Sequence, residues 1–215
     1  MKTTVYNDLY TPEGESATGG EWDVYPRPQL VRDSFFSLNG AWDFSADEGK
    51  WETITVPFPP ESLLSGIHRH MGKRPRLTYK KTFTLPEGFV RDRVILRFGA
   101  VDQIATVTLN GVLLGEHHGG YAPFSFDITD CLQGTNTLVV AVADHLADKI
   151  LPYGKQCEKR GGMWYTPVSG IWQTVWIESV PAEYVRALRV DTGADYAVIH
   201  AEGVTDGTVT VTTPH

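Results

Sequence analysis

The chain has 215 residues, 41% hydrophobic and 21% charged, which suits one large globular domain or two small ones and excludes a disordered chain. Nineteen basic side chains against 26 acidic ones give a formal charge of −7, with no basic stripe of the kind that nucleic-acid binders carry. No apolar run approaches the roughly 18 residues that span a bilayer, and residues 1–10 lack the basic-then-apolar start of a secretory signal, so a soluble, cytoplasmic protein with neither nucleic-acid nor membrane partners is expected.

Twenty-one Gly and 13 Pro accompany nine Phe, nine Tyr and six Trp, a profile of rings and turn residues that favours many short strands over long helices. Residues 1–32 carry little pattern, and Tyr25-Pro26-Arg27-Pro28 favours extended backbone, so an irregular arm hugging the domain surface is expected there. Alternation then begins: Trp42 and Phe44 face one way, Ala41 and Asp43 the other. A strand at 53–56 stops at Pro57-Phe58-Pro59-Pro60. Tyr79, Lys81, Phe83 and Leu85 mark the next strand, and Val94, Leu96 and Phe98 another. Ala105, Val107 and Leu109 run into Asn110-Gly111 and out through Val112 and Leu114, the strongest short hairpin signal in the chain. Further strands are expected at 125–128, at Leu138, Val140 and Val142, and through Ile171, Val175 and Ile177, where Trp172 and Trp176 would share one face. Residues 61–67 and 128–132 each have room for one helical turn. The pattern predicts an all-β fold, an antiparallel jelly-roll sandwich over 33–180.

Val180-Pro181 reads as a boundary. Beyond it lie three strand-like stretches, at 187–190, 197–201 and 208–211, too few to close a sandwich of about seven strands. Residues 181–215 therefore read as the start of a second domain whose open edges invite pairing with another copy, a homodimer contact. Two cysteines, Cys131 and Cys157, are read as reduced thiols. No Cys/His spacing suggests a metal, and no Gly-rich loop surrounds Lys155 to suggest a nucleotide; neither metal nor cofactor is expected.

Several segments together resemble a known family. These are Phe98-Gly99-Ala100-Val101-Asp102, His118-Gly119-Gly120-Tyr121-Ala122-Pro123-Phe124, Gly154-Lys155-Gln156 and Trp164-Tyr165-Thr166-Pro167-Val168-Ser169-Gly170-Ile171-Trp172. In order and spacing they are similar to the N-terminal sugar-binding domain of family 2 glycoside hydrolases, which include β-galactosidases, β-glucuronidases and β-mannosidases. The resemblance spans about residues 25–190. It implies a galactose-binding-domain-like jelly roll, then an immunoglobulin-like domain opening at 181–215, then a catalytic (β/α)8 barrel. Such a barrel takes about 250 residues, more than the whole chain. A retaining glycosidase needs two carboxyl groups about 5–5.5 Å apart. In the family both are barrel glutamates, so the chain alone is expected to hydrolyse nothing. Its partners would be a terminal β-linked sugar and the barrel of its own parent chain.

The long connection after Val142 carries the candidate sugar contacts Asp144, His145, Asp148, Trp164 and Tyr165. Carboxylates accept from sugar hydroxyls and ring faces stack on C–H surfaces. The resemblance implies that this loop reaches the barrel's active site and that an aspartate in it contacts sugar, Asp144 first and Asp148 second. Each has a plainer reading: Asp144 as a turn cap, His145 as a surface histidine, Trp172 and Trp176 as core packing. His68, Arg69 and His70 read as a solvated loop or the rim of the pocket, His117-His118 as a pair without a third metal ligand, and Asp102 as a local hydrogen-bonder. Two other readings remain beside the excised domain: a free-standing carbohydrate-binding module, and an interaction sandwich without a sugar role.

Overall fold

The computed structural model describes residues 11–17, 23–146, 150–159, 161–208 and 210. In the arm, a five-residue helix, α1 (Pro12–Ser16), corrects the expectation of wholly irregular backbone. Thr11 caps it by accepting the Gly14 N–H at 3.0 Å, with Pro12 and Glu13 suited to the first turn.

The strands follow in order: β1 (Phe35–Ser37), β2 (Gly40–Ala46), β3 (Glu52–Val56), β4 (Arg76–Phe83), β5 (Arg93–Phe98), β6 (Val101–Asp102) and β7 (Ile104–Leu109). After them come β8 (Val112–His118), β9 (Phe124–Asp127), β10 (Asn136–Ala143), β11 (Gly170–Ile171), β12 (Val175–Val180), β13 (Ala187–Thr192) and β14 (Ala197–Glu202). Single 3-10 turns at Leu63–Ser65 and Thr129–Cys131 occupy the two places left for a helical turn. A six-stranded antiparallel sheet runs β3-β2-β4-β10-β7-β8, and a four-stranded one β1-β12-β5-β9.

One apolar core joins the two sheets, drawing Trp42, Phe44 and Tyr79 from the larger and Leu96, Phe98 and Ile177 from the smaller. Each large side chain buried there contributes about 1.5–3 kcal/mol. Period-two alternation selects them: in β2, Trp42 and Phe44 are buried while Ala41 and Asp43 are exposed. The β7–β8 hairpin turns on Asn110 (φ 51°) and Gly111 (φ 83°), the left-handed pair a tight hairpin requires. Cys131 and Cys157 are free thiols.

The strand expected through Ile171 and Ile177 is two strands. Ile171 pairs with Val101 in the small β11–β6 sheet, and β12 starts at Val175 against Phe98. Trp172 and Trp176 therefore do not share a strand face. Trp176 is buried on β12, whereas Trp172 is half-buried between the strands, its Nε1 donating to the Gly120 carbonyl at 2.8 Å. His117 and His118 lie on β8; His117 stacks on Phe124 at 4.1 Å and His118 hydrogen-bonds Glu116.

The arm is pinned to the outer face of the four-stranded sheet through Glu178. This β12 carboxylate is fully buried; it accepts from the Tyr25 hydroxyl at 2.6 Å, Trp176 Nε1 at 2.9 Å and Arg97 Nε at 2.8 Å. Arg27 Nη1 stands 3.4 Å and Arg32 Nε 3.7 Å away. Burial alone would raise its pKa. The hydrogen bonds from Tyr25 and Trp176 and the charges of Arg97 and Arg27 outweigh burial and hold Glu178 below the usual carboxylate range.

Beyond Val180, where β12 ends, β13 and β14 pair with each other and, among the described residues, with no other strand; every β13 side chain is exposed. Of the third expected stretch, Thr208 and Thr210 belong to no strand, and residues 209 and 211 lie outside the described residues.

Candidate functional site: a stapled loop at one end of the sandwich

Strand β10 ends at Ala143 and β11 begins at Gly170, so the connection runs over 144–169. So long a segment would wander unless tied down, and three acidic side chains tie it. Asp144, at its start, accepts from the Ser169 hydroxyl, at its end, at 2.8 Å. Ser169 N–H in turn donates to Glu61 Oε2 at 3.1 Å. In the middle, Gln156 Nε2 donates to Asp102 Oδ2 at 2.8 Å and to the Tyr121 hydroxyl at 3.1 Å, while its Oε1 accepts from Val168 N–H at 2.5 Å. Two isolated bridges, Gln156 with Tyr165 and Gly161 with Trp164, fold the tip back on itself. Gly154 (φ 59°) sits where any Cβ would collide with the Tyr121 hydroxyl, so the loop needs glycine there.

These carboxyls are costly to ionise. Burial, chiefly, raises Asp102 to about 7, with a smaller push from the nearby Asp144 charge. Burial likewise raises Glu61 to about 7, and Asp144 is raised for the same reason, opposed by the Ser169 hydrogen bond and by His145. All three carboxyls therefore take up protons more readily than an exposed carboxylate does.

Of the expected sugar contacts, Asp144 is 3% exposed and occupied with Ser169. His145 is half-buried beside it, and Asp148 lies outside the described residues. Trp164 and Tyr165 are exposed at the tip. Each lines its own depression, and Gln156 lines both. The Tyr165 side, about 160 Å³, is walled by Tyr121, Trp172 and Asp102. The Trp164 side, about 310 Å³, is walled by Tyr153, Leu146 and Lys73. Lys73 places the 67–75 segment at the rim, where it pairs with Glu158 at 3.0 Å; His70 Nδ1 accepts from Gly72 N–H at 2.9 Å, and Arg69 pairs with Glu52 at 2.8 Å.

Sequence reasoning missed Gln156, Tyr121, Trp172 and Glu61 as members of this site. Asp102, expected to bond locally, reaches Gln156, 54 residues away. Apolar ring walls, a few fixed polar groups and a rigid base make a surface suited to part of a sugar. Among the described residues, no group of three or more His, Cys, Asp or Glu is placed to hold a metal ion.

The profile of the glycosyl hydrolase 2 galactose-binding domain-like family matches residues 67–200. A β-galactosidase of Thermoanaerobacter pseudethanolicus is 29% identical over 152 residues, 69% of this chain and 20% of the relative. A β-glucuronidase of Paenibacillus borealis is 30% identical over 147 residues, 61% of this chain and 24% of the relative. The solved structure of Bifidobacterium dentium β-glucuronidase, complexed with coumarin-3-O-glucuronide, superposes with a TM-score of 0.57 at 25% identity, over 76% of this chain and 33% of that one. The chain thus spans between a fifth and a third of the length of these relatives.

Proposed function

Since the chain belongs to the glycosyl hydrolase 2 galactose-binding domain-like family, we propose that it is the non-catalytic N-terminal domain of a longer retaining β-glycosidase, acting on a terminal β-glucuronide or β-galactoside. The observation that carries this reading is the match over 67–200, combined with the small share of each relative that the chain covers. In this reading the barrel supplies both catalytic carboxyls. The domain supplies the stapled loop, whose Trp164 and Tyr165 rings close one side of the sugar pocket, with Asp144 and His145 holding its base.

Ordering that loop in advance removes the entropy that a mobile one would lose on substrate binding. Asp102 and Asp144 are poor candidates for the chemistry, since both are buried and engaged in the anchor. The solitary β13–β14 hairpin is the opening of an immunoglobulin-like sandwich that the parent continues. Its exposed Leu188, Val190 and Val198 pair with another copy when the chain is made alone.

The test is turnover of 4-nitrophenyl β-D-glucuronide and β-D-galactoside by the purified chain. No release above a mock preparation is expected. Catalytic release by the chain alone would overturn the reading.

A further inference from the structure

The join between the sandwich and the β13–β14 hairpin is open. A cleft of about 510 Å³ is walled by Val31 and Arg32 from the arm and by Tyr184, Val185 and Val204 from the segment beyond Val180. A smaller one of about 200 Å³ separates Gln29 and Leu30 from Arg186 and Leu188. Every β13 side chain is exposed, so no apolar core is shared there. Units joined by so little apolar contact change their relative angle by default.

One side chain reaches across. Arg32 Nε faces Glu178 Oε2 on β12 at 3.7 Å, while Nη2 of the same guanidinium donates to the Val185 carbonyl. Its Cζ stands 5.4 Å from the centroid of the Tyr184 ring, a cation–π contact. A planar guanidinium can meet an anion, a carbonyl and a ring face at once; a lysine ammonium, a point charge on a flexible stem, cannot. The foot of this strut is fixed. Glu178 is held by Tyr25, Trp176 and Arg97, and Ser34, two residues after Arg32, accepts from Ser179 N–H at 3.0 Å and keeps the arm alongside β12. A further tie across Pro181, from Ala182 N–H to Asp92 Oδ2 at 2.9 Å, lies two residues beyond β12. So close to the end of the strand it fixes the pivot and leaves the angle to Arg32.

We infer that Arg32 is a latch: it carries the rigidity of the buried Glu178 cluster across the boundary and sets the angle between the sandwich and the hairpin. The latch is a property of this chain and does not depend on the parent's chemistry. Under the proposed function, that angle governs where the stapled loop meets the barrel.

The test is the distance distribution between spin labels at Ser125→Cys on β9 and Asp195→Cys at the hairpin turn, both exposed, in a chain carrying Cys131→Ala and Cys157→Ala and diluted with unlabelled chain. With Arg32 in place the distribution is expected to be narrow and single. Arg32→Met and Arg32→Lys should each broaden it by about twofold or more. Tyr184→Leu, which leaves the Glu178 cluster whole, should broaden it as well, and it serves as the test from the hairpin side if the Arg32 variants do not fold. Arg97→Met takes an equal charge from Glu178 without touching the hairpin and should leave it narrow. A broad distribution with Arg32 in place, a narrow one in Tyr184→Leu or in a folded Arg32→Met, or equal broadening by Arg97→Met would each overturn the inference.

Discussion

Glu178→Gln is expected to destabilise the domain by about 3–5 kcal/mol, the cost of removing one partner from a buried ion pair. Glutamine keeps the volume and one acceptor oxygen, so cavity formation is not the cause. What is lost is the negative charge on which Arg27, Arg32 and Arg97 converge. Three guanidiniums then repel one another, and Tyr25 loses its strong acceptor, which frees the arm. Thermal unfolding would fall by about 10 °C for a domain of this size. A second substitution, Arg97→Met, should restore part of the loss, because it removes one stranded charge. Because Glu178 is held below its ordinary pKa, its contribution is present above about pH 4.5 and disappears as the pH falls through the folded value. A Glu178→Gln protein melting within about 1 °C of the wild type would contradict this account of the cluster.

Asp102→Asn should have the opposite effect. The Asp102 pKa rises from 3.8 to about 7 in the fold, so the native state binds more protons than the unfolded chain across that interval. Stability contributed by this group is therefore complete below about pH 4 and falls as the pH rises toward 7. Glu61, raised from 4.5 to about 7, adds a slope of the same sign. Asparagine keeps an acceptor for Gln156 and carries no charge to desolvate. It should raise stability at pH 8 by on the order of 2–4 kcal/mol and flatten the decline between pH 4 and 7. Denaturant titrations at pH 5 and pH 8 measure both effects; an unchanged pH slope in the variant would contradict the assignment.

The parts of this fold legible in the sequence are those whose cause is local. Asn110-Gly111 announces its hairpin because both residues take left-handed backbone at little cost. Trp42 and Phe44 announce the core face of β2 because alternation is a property of one strand. The break between β11 and β12 was hidden, since Trp172-Gln173-Thr174 contains no glycine or proline to punctuate it. The rings at the loop tip were legible from their position in a long connection. The staple beneath them was not, because Asp102, Gln156 and Glu61 meet only when sheet register brings distant segments together. The Glu178 cluster was hidden for the same reason, its Tyr25, Arg27 and Arg97 partners lying 81 residues and more away in sequence.

The central claim is that this domain works as the front of a longer polypeptide. It is tested most directly by the size of the native protein. An antibody raised against the 23.9 kDa chain should detect, in denatured extract of the source cells, a polypeptide of about three to five times that mass, in keeping with the share of each relative that the chain covers. The same polypeptide, purified from native extract, should hydrolyse a nitrophenyl β-glycoside. A lone band near 24 kDa in fresh, protease-inhibited extract would contradict the account.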